Sequence, residues 1–295
     1  MKYFDRNLLK QLYIPAPNSH KGQNGKLMII AGSELFHGAS LWPLEVASRI
    51  VDMVFYSSVP INNEIVKEAK ARFYDGIVVP RDKLEDYIEE SDCILIGSGM
   101  VRSESIENYP PAGGFKIENL TDINRLKDEG EQTYALTNYL LTKFPNKKWV
   151  IDAGALQMID LSVLKTVGKR AIVTPNPAEF ERVFRHDALA DNAARMSKAY
   201  GITLLLKGHT DVVCCLDECI TFEGGNPGMT KGGTGDVLSG LVAALYCKNP
   251  AFVATAVASF INKQAGEELY KRVGNYFNAS DLAGEIPKVM QKLLP

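Results

Sequence analysis

Short apolar runs that stop at small or polar residues recur along the chain and alternate with segments of helical spacing. The clearest runs are KLMIIAGS (26–33), DCILIGSGM (92–100), KWVIDAGAL (148–156), RAIVTPNP (170–177) and ITLLLKG (202–208). Continuous apolar strands of this kind are typical of a parallel sheet that is buried on both faces. The pattern therefore predicts βαβ units and an α/β fold in which a ligand binds at the carboxyl ends of the strands.

Helical spacing of apolar residues lies between the predicted strands. It predicts helices at about 39–52, 81–90, 133–144, 177–185 and 190–200. From Gly235 onward the rest of the chain is also predicted to be helical. Residues 210–225 differ, because two strand-like runs flank a turn at 216–218, and they predict an antiparallel hairpin at the edge of the sheet.

One polar segment interrupts this alternation. Residues 101–131 carry Pro-Pro and Gly-Gly and predict a loop insertion, with a plain surface loop favoured over a lid that covers a site. The remaining pattern is continuous, and 295 residues are within the size of one large α/β domain. We therefore expect a single domain over 1–295.

Composition and charge narrow the class of ligand. The formal net charge is −2, and no block of Lys or Arg is long enough to predict a nucleic-acid or membrane surface. No run reaches the roughly 18 apolar residues of a membrane span, and the first residues lack a signal-peptide core, so we expect a cytoplasmic protein. The five cysteines form no C-x-x-C pair and are odd in number, so we expect free thiols rather than disulfides or a zinc site. A small molecule is the expected ligand.

The stretch GNPGMTKGGTGDVLSG (225–240) concentrates glycine ahead of one acid and a predicted helix. Gly232, Gly233 and Gly235 allow backbone N–H groups to turn toward one point, and the first helical turn adds further unpaired amides. Asp236 lies in that turn, where its carboxylate could accept a proton from a hydroxyl that attacks a phosphoryl group. The alternative is that Asp236 only complements the helix dipole and that the glycines only make a turn.

Two further features lie at predicted strand ends. Asn176 and Glu179 are three residues apart at a helix start and could hold a hydrated Mg²⁺, although the same pair matches a capping box. Lys207, followed by Gly208, could meet a phosphate, although a single lysine at such a place is more often solvated surface. The chain lacks the P-loop motif and lacks a dinucleotide-binding glycine motif directly after a strand.

Taken in order, N-x-x-E at 176–179, K-G at 207–208 and GGTGD at 232–236 resemble the ribokinase-like superfamily of ATP-dependent small-molecule kinases. Longer blocks resemble the ADP/ATP-dependent NAD(P)H-hydrate dehydratase family within it. These blocks are SHKGQNGKLMIIAGS (19–33), FHGAS (36–40), LIGSGM (95–100), IDAGAL (151–156), TPNPAEF (174–180) and GNPGMTKGGTGDVLSGLVAAL (225–245). The resemblance implies a ribokinase-like three-layer fold, with a central, mostly parallel sheet flanked by helices. Because it begins at His20, we expect the dehydratase part alone, without a preceding epimerase domain.

The resemblance also implies a repair activity. In that family a hydrated dinucleotide, NADHX or NADPHX, is returned to NADH or NADPH at the expense of ATP or ADP. Phosphorylation of the ring hydroxyl would make it a good leaving group, and the ring nitrogen would supply electrons for elimination of phosphate. The expected ligands are therefore the hydrated dinucleotide, ATP or ADP, and Mg²⁺, and the expected assembly is a homo-oligomer.

By similarity to the family, the site residues fall into three groups. Asp236 would be the base and would contact the hydrated dinucleotide, which Ala39, Gly99 and Asn176 would also border. Glu179 would hold Mg²⁺ through a water molecule. The residues that would bind the nucleotide are Lys207, Gly208, His209, Thr210, Gly232, Gly233, Thr234 and Gly235.

Three positions depart from the family pattern. Asn176 stands where the family usually has His, and Asn cannot titrate near neutral pH. Gly154 replaces the second acid of an Asp-Ala-Asp-Ala-Leu motif, which leaves Asp152. Lys231 replaces a small residue and could either add a cation for a phosphate or block part of the site. Two alternatives therefore stay open: a kinase of a vitamin precursor or sugar, and a nucleotide-binding relative without activity.

Overall fold

A single ten-stranded sheet runs through the described residues of the computed structural model, which are 2–69, 75–103 and 117–294. The strands are β1 (Lys2–Tyr3), β2 (Lys26–Ile30), β3 (Met53–Ser57), β4 (Ile77–Val78), β5 (Cys93–Ile96), β6 (Lys148–Ile151), β7 (Ala171–Val173), β8 (Thr203–Leu206), β9 (Thr210–Cys215) and β10 (Glu218–Glu223). Their order is β1-β10-β9-β8-β7-β6-β5-β2-β3-β4. Strand β9 is antiparallel to both neighbours, and the other pairs are parallel.

Helices cover both faces of this sheet. They are α1 (Gly38–Ala47), α2 (Pro60–Ala69), α3 (Leu84–Glu90), α4 (Leu120–Asn124), α5 (Glu129–Lys143), α6 (Ala153–Gln157), α7 (Leu161–Val167), α8 (Pro177–Phe184), α9 (Ala190–Tyr200), α10 (Thr234–Tyr246), α11 (Ala251–Val273) and α12 (Ala279–Leu293). No helix among the described residues combines the length and the apolar character needed to cross a membrane.

Two hydrophobic cores sandwich the sheet because successive strand residues point to opposite faces. Leu27 and Ile29 of β2 pack into the core beneath α1, α2 and α10 to α12. Met28 and Ile30 pack into the core beneath α3 to α9. The central strands are therefore buried on both sides, and the predicted three-layer fold with a mostly parallel sheet is confirmed.

The five predicted apolar runs each contain a strand. The end of the predicted helix at 39–52 and the position of the predicted hairpin differ from the structure. Helix α1 ends at Ala47, and strand β3, which the sequence pattern did not separate from the predicted helix at 39–52, begins at Met53. The predicted hairpin is present as β9 and β10. It lies next to the edge rather than at it, because the two-residue strand β1 pairs with the outer side of β10.

The prediction of free thiols throughout is wrong for one pair. Cys214 of β9 and Cys219 of β10 are directly opposite each other in the antiparallel register and form a disulfide. Side chains directly opposite in such a pair are close together, a proximity that the spacing along the chain does not signal. Cys93, Cys215 and Cys247 are free thiols.

The predicted loop insertion at 101–131 is described only in part, because residues 104–116 lie outside the described residues. In the remainder, α4 and the start of α5 are helical rather than loop. The side chain of Asn119 caps α4 by accepting from two backbone N–H groups, and Leu120 and Ile123 are buried in the core beneath the sheet. The loop interpretation is therefore wrong for these helical residues.

Gly240 sets how closely α10 approaches α1. A Cβ at this position would lie 2.5 Å from the Cα of Pro43 and 2.9 Å from a methyl carbon of Val46. We expect Gly240→Ala to lower the free energy of unfolding by about 1–3 kcal/mol, because it overpacks this contact.

Gly284→Ala on α12 is the matched control, since nothing lies within 4 Å of an added Cβ there. It is expected to raise the free energy of unfolding by roughly 0.5–1 kcal/mol, because Ala is the better helix former. Urea unfolding followed by circular dichroism compares the two. Equal effects of the two substitutions would contradict a tight contact between α1 and α10.

Candidate active site

A cavity of about 780 Å³ lies at the carboxyl ends of β7, β8 and β10, beside the start of α10. Five of the residues predicted to bind a nucleotide line it: Lys207, Gly208, His209, Thr234 and Gly235. The other three predicted nucleotide residues, Thr210, Gly232 and Gly233, are not among its lining residues. Asn176, predicted to border the dinucleotide, also lines this cavity.

The glycine-rich stretch presents unpaired backbone amides at the start of α10. Gly233 has φ +94° and is the N-cap residue, and a Cβ there would lie 2.4 Å from the ring of Trp42. Among the described residues, the backbone N–H groups of Gly235 and Asp236 have no hydrogen-bond acceptor. Such groups at a helix start favour an anion. The predicted anion site is therefore geometrically available.

A buried ion pair lies beside this helix start. The ammonium of Lys207 donates to Oδ1 of Asp152 at 3.0 Å, and their side chains are 17% and 2% exposed. Asp152 also accepts hydrogen bonds from Thr174 Oγ1 at 2.8 Å and Ser98 Oγ at 3.3 Å. The alternative that Lys207 is solvated surface is therefore wrong.

Asp236 is partly buried and lies in the electric field of this ion pair. Burial raises the pKa of Asp236 to about 8, and the negative charges of Asp152 and Glu179 add to the rise, while Lys207 opposes it. Removal of the Asp236 carboxylate from water is thus the main cause. A carboxyl that titrates this close to neutral pH is suited to accept and release a proton.

Lys207 stays cationic in these surroundings. Burial is the largest single influence on its pKa and favours the neutral amine. The charges of Asp152, Glu179 and Asp236 together outweigh burial, so the pKa of Lys207 is raised. The site therefore holds three carboxyl groups around one ammonium.

Asn176 and Glu179 form the capping box that was the alternative to a metal site. The backbone N–H of Asn176 donates to Glu179 Oε2, and the backbone N–H of Glu179 donates to Asn176 Oδ1, both at 2.9 Å. One oxygen of Glu179, Oε1, makes no hydrogen bond with the described protein. Burial raises the pKa of Glu179, as does the charge of Asp152, while Lys207 lowers it.

The residues present fit Mg²⁺ only as a largely hydrated ion. Within the described part of the chain, no group of three or more His, Cys, Asp or Glu side chains is arranged to hold a metal. Mg²⁺ commonly keeps several waters and uses one or two carboxylates together with substrate phosphates. The free oxygen of Glu179 is compatible with such a role, and the side-chain oxygen of Asn176 is already used.

Ala39 and Gly99, which were predicted to border the dinucleotide, pack against each other. Gly99 has φ +67°, and a Cβ there would lie 2.5 Å from the Cβ of Ala39. Neither residue lines the 780 Å³ cavity. Their contact adjoins the ion pair through Ser98, which precedes Gly99 and hydrogen-bonds both Asp152 and Ser239.

Lys231 was expected either to add a cation for a phosphate or to block part of the site, and the structure supports neither interpretation. Its ammonium donates to the backbone carbonyls of Asn275 and Phe277, the latter at 2.6 Å, and lies over the Phe277 ring. It therefore neither faces the anion site nor blocks it. Close packing explains the glycine at position 154, because a Cβ there would lie 2.0 Å from the carbonyl oxygen of Met100.

Several residues that line the cavity were not predicted, and Lys263 on α11 and Asp211 on β9 are two of them. The buried ammonium of Lys263 donates to the backbone carbonyls of Gly208 at 2.9 Å, His209 at 3.0 Å and Gly224 at 2.7 Å. It also pairs with Asp211 at 3.4 Å. Lys263 thus ties together two loops that line the cavity. A lysine directly after the mostly apolar first half of α11 was the available sequence signal.

Asn262 lines the same cavity and leaves a polar atom unsatisfied. The residue is 4% exposed, and its Oδ1 is buried without a hydrogen-bond partner in the described protein. Buried amides usually have a partner. A bound ligand would supply one.

Comparisons with known proteins give consistent matches over most of the chain. The sequence model of the NAD(P)H-hydrate dehydratase family matches residues 27–288. The chain is 32% identical over 288 residues to a bifunctional NAD(P)H-hydrate repair enzyme of Methanocaldococcus jannaschii, covering 96% of this chain and 51% of that protein. It thus spans about half the length of that curated relative.

Two further matches cover nearly whole proteins. An ADP-dependent (S)-NAD(P)H-hydrate dehydratase of Nitrosopumilus maritimus is 31% identical over 293 residues, covering 96% of this chain and 95% of that protein. A Bacillus subtilis ADP/ATP-dependent NAD(P)H-hydrate dehydratase, co-crystallised with ATP and Mg²⁺, is 20% identical with a TM-score of 0.75. The alignment of the two structures covers 99% of this chain and 98% of the Bacillus subtilis chain, which shows a shared fold.

The raised pKa of Asp236 predicts that its carboxyl lowers the free energy of unfolding by an amount that grows with pH. Below about pH 4 the carboxyl is protonated in both states, and between about pH 4 and pH 8 the unfolded chain releases a proton that the folded protein keeps. The wild-type protein therefore loses stability relative to Asp236→Asn as the pH rises through this range. Urea unfolding of both proteins at several pH values measures the difference.

Asp217→Asn, in the exposed turn of the hairpin, serves as the control for loss of a carboxylate. For Asp236→Asn, the stability gap should widen toward pH 8 and then level off. A gap that is constant across this range would contradict the raised pKa.

Proposed function

The chain belongs to the NAD(P)H-hydrate dehydratase family and has the ribokinase-like fold, and on that premise we propose that it is an ADP- or ATP-dependent NAD(P)H-hydrate dehydratase. It would return NADHX and NADPHX to NADH and NADPH. The observation that supports this most directly is Asp236, a partly buried carboxyl that shares its helical turn with amides that have no acceptor. Such a turn can hold a phosphoryl group beside a base.

The 780 Å³ cavity is proposed as the nucleotide site. Its volume lies within the range of small-molecule sites. Lys207 and Gly235 line this cavity and would bind the terminal phosphates. Asn262 also lines it, and its side-chain oxygen, which has no hydrogen-bond partner in the described protein, could accept a hydrogen bond from the nucleotide. The relatives' names support ADP or ATP as the co-substrate.

Phosphorylation and elimination would follow in sequence. Asp236 would accept the proton of the ring hydroxyl as its oxygen attacks the terminal phosphorus, and the bond between that phosphorus and the nucleotide would break. The amides of the α10 start would hold the charge on the transferred group. The ring nitrogen would then expel phosphate from the ring carbon, and loss of a proton from the neighbouring carbon would restore the double bond.

Mg²⁺ would neutralise charge on the nucleotide phosphates when bound. Glu179, through its free Oε1 and a water molecule, is the carboxylate we propose for it. On the substrate side, Ala39, Gly99 and Asn176 would border the hydrated dinucleotide. Because Asn176 serves as a helix cap here, we assign it contact with the substrate rather than proton transfer.

We further propose that 1–295 form one domain, since the described strands all belong to one sheet. We also propose a cytoplasmic location and, as the family resemblance implies, a homo-oligomer. Size-exclusion chromatography with light scattering would measure the assembly.

Asp236→Asn tests the function. With Mg²⁺, ADP or ATP, and NADHX or NADPHX, wild-type protein is expected to restore the absorbance of the reduced nicotinamide. The variant should lose about 10²–10⁴-fold in kcat, because it cannot accept the hydroxyl proton. It should still bind ADP, because the amides and Lys207 remain.

Asp217→Asn is expected to keep wild-type kcat in this assay. Stable phosphorylation of an alcohol without recovery of absorbance would instead indicate a kinase. Nucleotide binding by the wild type without any turnover would indicate a non-catalytic relative, and normal turnover by Asp236→Asn would remove Asp236 as the base.

A further inference from the structure

Two arginines converge on one neutral oxygen beside the proposed site. Arg102 and Arg182 each donate through Nη1 to Oε1 of Gln157, Arg102 at 3.3 Å. Among the described residues, neither guanidinium forms an ion pair with a carboxylate. Both side chains are partly buried. Two cations therefore share a single uncharged acceptor.

The three side chains themselves carry no negative charge. Each guanidinium carries five N–H donors, so one amide oxygen satisfies only a small part of the pair. Like charges this close repel each other, and partial burial weakens screening by water. Arginine pairs suit phosphate groups, which accept parallel hydrogen bonds from each guanidinium. An anion between the two side chains would relieve the repulsion and use the free donors.

The surrounding backbone fixes the three side chains. Nε2 of Gln157 donates to the carbonyl of Ala153 at 3.2 Å, and this bond turns Oε1 toward the arginines. Gly154 allows the chain at Met100 to press against α6, since an added Cβ would lie 2.0 Å from the Met100 carbonyl oxygen. Arg102 follows two residues later. Arg102 thus lies near Gln157 at the end of α6.

The arginine pair adjoins the carboxyl groups of the proposed active site. Arg182 is three residues after Glu179 on α8, and residues at this spacing share a helix face. The pKa of Glu179, raised chiefly by burial, is lowered in part by the charge of Arg102. Helix α6, which ends at Gln157, begins directly after Asp152. The pair therefore belongs to the same end of the sheet as Asp236.

The nucleotide cavity does not include these arginines. Neither Arg102 nor Arg182 lines the 780 Å³ cavity, whose cations are Lys207 and Lys263. A nucleotide bound there would place its phosphates by the start of α10. The anion that the two arginines would hold must therefore come from the second substrate.

We propose that Arg102 and Arg182 form a subsite for a phosphate of the hydrated dinucleotide. The proposal rests on the proposed function, which supplies a substrate with a pyrophosphate between its two riboses and, in NADPHX, a 2′-phosphate. Both groups offer the same recognition chemistry. The arginines would hold this part of the dinucleotide while its nicotinamide ring reaches Asp236.

Binding of each substrate alone tests the subsite without turnover. Isothermal titration of NADHX and of NADPHX, each without nucleotide, compares wild type, Arg102→Gln, Arg182→Gln and the double variant. Each single change is expected to weaken the binding of NADPHX, which carries both phosphate groups, about tenfold through loss of charge-assisted hydrogen bonds to phosphate. ADP affinity should stay within about twofold of wild type, since the nucleotide phosphates bind elsewhere.

Arg195→Gln on α9 is the matched control, because this exposed arginine carries the same charge and forms no ion pair in the described protein. Its affinity for NADHX should equal that of wild type. If Arg195→Gln weakened dinucleotide binding as much as the other two substitutions, the effect would come from the net charge of the protein, and the proposal would be overturned. An affinity for both NADHX and NADPHX that is unchanged in the double variant would also overturn it, as would ADP affinity that falls as much as the affinity for the dinucleotide.

Comparison of NADHX with NADPHX distinguishes the two sources of phosphate. Equal losses for both substrates assign the subsite to the pyrophosphate, and a loss confined to NADPHX assigns it to the 2′-phosphate. Thermal unfolding without ligand checks the fold. Loss of one of two mutually repelling cations should not lower the melting temperature, and a lower value would show a structural role and overturn the subsite.

Inorganic pyrophosphate separates this proposal from the proposed function. In the presence of saturating ADP, wild type should bind pyrophosphate and the double variant should not. If wild type failed to repair NADHX yet showed this difference, the anion subsite would stand and the dehydratase function would fall. If neither protein bound pyrophosphate, the subsite would be overturned even with full repair activity.

Discussion

The buried ion pair between Asp152 and Lys207 is the interaction on which the proposed active site depends. Burying two charges is costly unless they are paired and further hydrogen-bonded, and Thr174 and Ser98 provide those bonds to Asp152. The pair keeps an ammonium beside the start of α10, where a phosphate would lie. It also places a negative charge near Asp236, which together with burial raises the pKa of that carboxyl to about 8. Strands β5 to β8 supply these groups at their carboxyl ends, so the sheet itself sets the geometry.

The fold was largely predictable, because its strands are continuous apolar runs and its hairpin has a clear turn. Strand β3 was missed because helical spacing ran into it without a glycine or proline. The Cys214–Cys219 disulfide was missed because only the strand register brings the two residues together. Sequence identified Asp236, Lys207 and the glycine-rich turn through local pattern and family resemblance. It did not identify Lys263, whose role depends on three carbonyls from distant loops.

The departures from the family pattern have separate physical consequences. Asn176 caps α8 in a reciprocal pair with Glu179, so an amide is sufficient for that structural task. Lys231 binds carbonyls that precede α12 and leaves the anion site open. Gly154 leaves room for the Met100 carbonyl, which an added Cβ would approach to 2.0 Å. Each of the three residues therefore has a local structural explanation in this chain.

A titration of the Asp236 carboxyl carbon by ¹³C nuclear magnetic resonance tests the central claim most directly, because it reads the proton on that group without substrate or turnover. The resonance is assigned by its absence from Asp236→Asn. We expect its chemical shift to change with a midpoint near pH 8, as burial and the neighbouring carboxylates require. A midpoint near the ordinary aspartate value of 3.8 would show that Asp236 is solvated and not held in this charge cluster, and would contradict the account.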